Sequence, residues 1–137
     1  MNKYSNLLYK RGFLFTNLKN PSFNDIDSEK VFKTWHSADI GQYKLYYDPS
    51  LLIGTFSESD GKNALTILGM VLNPFDGVND SDIIAEKLLT YKDISEIKFL
   101  EYLNQLSGRF VIISKQDNNI EIFNDACGTR TVFYDKF

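Results

Sequence analysis

The stretch that decides the fold runs from Leu106 to Tyr134. It opens with Leu106-Ser107-Gly108-Arg109-Phe110-Val111-Ile112-Ile113 and turns through Lys115-Gln116-Asp117-Asn118-Asn119. It then continues Ile120-Glu121-Ile122-Phe123-Asn124 and ends Asp125-Ala126-Cys127-Gly128-Thr129-Arg130-Thr131-Val132-Phe133-Tyr134. The unbroken apolar run at 110–113 is the pattern of a strand covered on both faces. Residues 115–119 are a polar turn, 120–124 return as a strand, and 126–129 break the pattern before a further strand over 130–135. Gly128 suits the positive φ of a tight turn between strands. Asp125 can hold that turn by accepting backbone N–H bonds, and Arg130 can pin it to a carboxylate such as Asp125 through its planar fork. The stretch predicts a β-meander.

Upstream the periodicity becomes helical. A helix is expected to about Tyr91, capped by Asn79 or Ser81, with Asp80 and Asp82 favourably placed near its positive end. Ile83, Ile84, Leu88 and Leu89 recur at helical spacing. A second helix is expected from Ser95, with Phe99, Leu100, Leu103 and Leu106 on one face and Gly108 as its left-handed terminator. Both helices are amphipathic and must lay one face on something apolar. Residues 51–58 and 64–72 are apolar runs joined through Asp60-Gly61, the pattern of a hairpin. Gly69 inside the second run predicts a bulge or a close backbone approach.

Residues 12–16 and 42–48 are of strand length, and Asn20-Pro21-Ser22 is a turn signal. Residues 27–35 could hold one or two helical turns, with Ser28 as cap. The expected class is α+β, antiparallel sheets packed with two helices. At 137 residues the chain is expected to be a single domain over 1–137.

A hydrophobic fraction of 43% and an aromatic fraction of 15% describe a folded chain rather than a disordered one. A net charge of -3 lacks the basic surplus that binding phosphate backbones requires, so no nucleic-acid partner is expected. The one cysteine, Cys127, excludes an internal disulfide and has no zinc-spaced neighbours, so no metal or cofactor is expected. The N-terminal residues lack a signal-peptide pattern, and no run approaches the roughly 20 apolar residues of a membrane span. The expected setting is cytoplasmic, with no membrane partner.

Taken together, residues 106–113 resemble the segment L-x-G-x-F-A/V-F/I/L of asparagine synthetases and other class II glutamine amidotransferases. Residues 124–134 resemble that family's R-D-x-x-G-x-R/K-x-L/F-Y/F-Y hairpin, in the same order and at the same spacing. The matching positions are Gly108, Phe110, Asp125, Gly128, Arg130 and Tyr134. The resemblance implies part of an N-terminal-nucleophile αββα sandwich, in which this hairpin is scaffold. It also implies a catalytic Cys directly after the initiator Met, where this chain has Asn2, a carboxamide and no nucleophile.

The family's glutamine-binding segment, F-N-G-E-I/L-Y-N, falls on residues 67–73. Gly69 is kept, Leu68 stands for the oxyanion-stabilising Asn, and Met70 stands for the Glu. Loss of one such donor typically costs ~10²–10³ in rate. The R-R-L and H-R-G-P-D elements and the Ser-Gly-Gly-x-Asp-Ser pyrophosphate loop do not occur.

Outside the resemblance, Cys127 would need a nearby base to act as a nucleophile, and His36 is the only histidine. His36 reads as a polar residue at a strand edge. Asp25, Asp27 and Glu29 lack calcium-loop spacing. Tyr43, Tyr46 and Tyr47 read as strand packing rather than a stacking platform.

No catalytic residue is assigned. The expectation is a non-catalytic, degenerate amidotransferase-like domain, a scaffold or interaction module for an asparagine-synthetase-like partner. The alternatives are a small-molecule module for an amino acid or sugar, with Gly69 and Asp125 at its pocket, or a hydrolase with a non-standard nucleophile among Asp39, Asp125 and Cys127. If the domain is cut short, its last strand is expected to leave an open edge for a protein partner or a second copy.

Overall fold

The computed structural model describes residues 11–18, 33–128 and 132. They form two compact units, residues 1–52 and 53–137, each with its own antiparallel sheet. The class is α+β.

The first unit holds β1 (Phe13–Thr16), β2 (His36–Ile40) and β3 (Tyr43–Tyr47) in the order β1-β3-β2. Gly41 supplies the positive φ, 62°, of the tight β2–β3 turn. The tyrosines pack within the sheet. Tyr43 stacks on Phe15 with ring centroids 4.9 Å apart, and Tyr47 meets the edge of the His36 ring. His36 lies on the edge strand β2, as its sequence reading expects. Most of the segment 27–35 lies outside the described residues, as do Asp25, Asp27, Glu29 and the Asn20-Pro21-Ser22 signal; its described end turns at residues 33–34.

The second unit is a four-stranded meander, β4 (Ile53–Ser57), β5 (Asn63–Leu72), β6 (Ser107–Gln116) and β7 (Asn119–Asn124), with neighbours in chain order. Two helices, α1 (Ser81–Ile94) and α2 (Glu96–Leu103), are inserted between β5 and β6. The β4–β5 hairpin turns at Asp60-Gly61, where Gly61 has φ 70°.

Alternation along the strands sorts the side chains. Leu65, Ile67, Val71, Phe110 and Ile112 meet Ile84, Ala85, Leu88, Leu89, Phe99, Tyr102 and Leu106 in one core. Val111 and Ile113, on the opposite face, are also buried. The continuous apolar run therefore means what it predicts.

Several expectations need correction. The cap of α1 is Asp80, whose carboxylate accepts the N–H groups of Asp82 and Ile83, and the helix runs on to Ile94. Ile83 and Leu100 face outward, 44% and 41% exposed. Ala85 and Tyr102 take the inward places. Gly108 terminates no helix: α2 ends at Leu103 with Asn104 as its cap, and Gly108 lies inside β6. Gly69 makes no bulge, because the register runs unbroken through Leu68↔Val111, Gly69↔Phe110 and Met70↔Arg109. Its φ of 109° explains the glycine instead.

The end of α1 that faces β4 is fixed by a close approach. A Cβ on Gly54 would fall 2.4 Å from Ser81 Cβ, so only glycine lets the helix start there. The Asp82 carboxylate accepts the N–H of Thr55 at 2.8 Å. β4 is an edge strand, and Asp82 closes one of its outward donors.

Candidate functional site

Phe110 is the hub of the C-terminal motif. It pairs with Gly69 on one side, and on the other it exchanges bonds with Asp125. Gly69, Phe110 and Asp125 thus lie in one row across three chain segments. The Asp125 N–H donates to the Phe110 carbonyl at 3.1 Å, and the Phe110 N–H donates to the Asp125 carboxylate at 3.3 Å. In a regular antiparallel pair that second bond would go to the backbone carbonyl of residue 125. Here that carbonyl instead accepts the N–H of Gly128 at 2.9 Å, closing the turn.

An aspartate does both jobs: its side chain continues the ladder while its backbone reverses the chain. The second carboxylate oxygen accepts the Cys127 N–H at 3.2 Å. Asp125 is only 5% exposed, so these donors offset the desolvation of its charge. Gly128 takes φ 58°, as the turn requires.

Gly108 stands two residues before Phe110, opposite Val71. Its φ is 137°, and a Cβ there would lie 2.1 Å from the Met70 carbonyl oxygen. The structure therefore gathers Gly69, Gly108, Phe110, Asp125 and Gly128 at one end of the four-stranded sheet. Arg130 and Tyr134 lie outside the described residues, as does Asn2, and of the strand expected at 130–135 only residue 132 is described.

Nucleophile chemistry finds little here. Cys127 is an exposed thiol in the turn. Asp39 lies on β2 in the other unit, opposite Lys44. Leu68, fully buried, and Met70, 55% exposed, carry no side-chain amide beside Gly69. Among the described residues no cluster of three His, Cys, Asp or Glu side chains could hold a metal.

Two polar groupings escape a reading of sequence. The first fixes the loop after β5. Asn73 is fully buried; its side chain donates to Gln105 Oε1 at 3.1 Å and accepts the N–H of Phe75 at 2.9 Å. One Asp76 oxygen accepts the Val78 N–H at 2.9 Å, and the other accepts from Lys87 Nζ at 3.0 Å and the Tyr102 hydroxyl at 3.2 Å. The Val78 N–H, and then Lys87, hold the Asp76 carboxyl below its usual range. The same pairing raises Lys87, and burial raises the Tyr102 hydroxyl.

The second grouping is a buried ammonium. Lys92, on the core side of α1, bonds to Glu121 on β7 and lies 4.7 Å and 5.1 Å from the ring centroids of Phe99 and Phe123. Its side chain is 2% exposed, and that of Glu121 is 49% exposed. A lysine at helical spacing with Leu88 and Leu89 is the sole sequence hint, and it is easily taken for a solvated residue.

No family model, curated protein or solved structure matches the chain. Among the described residues, no helix is long and apolar enough to cross a membrane.

Proposed function

We propose that this chain is a non-catalytic domain on an amidotransferase-like frame, a scaffold or interaction module for an asparagine-synthetase-like partner. One observation supports the reading most. The side chain of Asp125 and the backbone of Phe110, Gly108 and Gly128 are spent on holding one sheet end together. That is the scaffold role which the resembling motif has in the family, and the αββα sandwich belongs to the same proposal. Asn2 in place of the nucleophile, with Leu68 and Met70 in the glutamine-binding segment, removes the parts that carry the reaction.

The test is ammonia release from glutamine by purified protein. None above background is expected. Release that disappears in Asn2→Ala or Cys127→Ala would overturn the proposal, as would a covalent adduct with a glutamine-mimicking electrophile.

A further inference from the structure

Among the described residues, the Ser114 hydroxyl is the buried side-chain polar group without a hydrogen-bond partner, and Ser114 is 1% exposed. The strand sets its direction. Phe110 and Ile112 meet the helices, so Ser114, next but one along β6, points to the same side. Across the ladder it stands between Leu65 on β5 and Glu121 on β7. Residues directly opposed in this way share a face, with Cβ atoms roughly 5 Å apart. Glu121 is the residue that reaches the Lys92 ammonium. The lone hydroxyl thus lies beside the buried ion pair.

The pair has bonding capacity to spare. An ammonium carries three donors, and Lys92 gives one to Glu121 while lying over the rings of Phe99 and Phe123. A carboxylate with Oε2 engaged still has acceptor sites, and a hydroxyl both donates and accepts. A buried hydroxyl left alone bears its full desolvation penalty. Protein interiors commonly meet such a need with a water held by about three hydrogen bonds. Three polar groups converge here, and Ser114 is shorter than its neighbours Leu65, Ile112 and Glu121. We infer that one internal water occupies the space beyond the Ser114 side chain and bridges its hydroxyl to the Lys92–Glu121 pair. The water completes the hydrogen bonding of a cation buried against two rings. Glu121, its side chain 49% exposed, keeps the outer side of the pair in bulk solvent.

Oxygen-17 relaxation dispersion on the full chain tests this directly, because it counts long-lived internal waters and is blind to exchanging hydroxyl protons. The count should fall by one in Ser114→Val, whose branched side chain fills the space and offers no hydroxyl. Urea unfolding supplies a second readout. Ser114→Ala should lower the midpoint, since the water loses a partner. That loss should shrink in a Lys92→Met background, where the bridge has already lost another partner.

An unchanged water count in a folded Ser114→Val overturns the inference. So does a Ser114→Ala midpoint equal to or above that of the parent, because removing a truly unpartnered hydroxyl relieves its burial cost. A Ser114→Ala loss of equal size with and without Lys92 also sinks the bridge. If Ser114→Val does not fold, the midpoints decide.

Discussion

At the residue scale, Asp125 shows how one side chain can do two backbone jobs. Its carboxylate serves the N–H groups of Phe110 and Cys127, while its carbonyl closes the turn to Gly128. Asp125→Ala therefore strands a buried N–H and should cost about 2–3 kcal/mol. The two motif glycines should behave differently. Gly128→Ala meets open space and only the left-handed penalty, about 1–2 kcal/mol. Gly108→Ala drives a Cβ into the Met70 carbonyl as well and should cost more, on the order of 3 kcal/mol or above. Urea midpoints rank the three variants, and a Gly108→Ala no worse than Gly128→Ala would refute the close approach. Lys92 offers a contrast in sign. Glu121→Ala leaves a buried ammonium with only the two phenyl rings and should cost roughly 3 kcal/mol. Lys92→Met removes charge and partner demand together and should be near neutral. Equal losses in the two variants would argue against a buried cation.

At the element scale, α1 is positioned from both ends. Asp80 caps it, Gly54 admits its first turn, and Asp82 ties that turn to Thr55. Asp80→Ala should cost about 1 kcal/mol by thermal unfolding. Near the other end, Asp93 faces Glu58 beyond β4. The hydrogen bond between these two carboxyls, and then partial burial, raises the Glu58 carboxyl above its ordinary 4.5. A raised carboxyl contributes stability that is fully present below the unfolded value and is lost as pH rises through the folded one. Glu58→Gln should therefore raise the urea midpoint at pH 7 and leave it unchanged near pH 3. A gain of equal size at both pH values would show that ionisation of Glu58 is not its cause. Asp76 has the opposite sense: its depressed value contributes stability above the unfolded range that is lost as pH falls through the folded value.

At the scale of the whole molecule, the expected outcome is chemical silence toward glutamine, read as ammonia release. Apart from β2, the described strands, the hairpin at Asp60-Gly61 and the helix pair were legible in the order of residues, because alternation and helical spacing are local properties of the chain. So was the turn at Asp125 and Gly128, whose bonds close within four residues. Two of the failed inferences show where local pattern left a choice. Gly108 could equally end a helix or ease a strand crossing, and only the arrival of the Met70 carbonyl decided it. Leu100 and Tyr102 lie on opposite faces of α2, and only one of them can turn inward. The Tyr102 hydroxyl reaches Asp76, 26 residues away in the chain, so the ring turns inward and Leu100 turns out. Sequence alone determined which segments are extended, which are helical, and that position 2 carries no thiol. Tertiary structure decided which polar side chains are buried: Asn73, Lys92 and Asp125 each find their partners on other segments. A buried polar group is stable only where such partners converge, and convergence is a property of the folded chain.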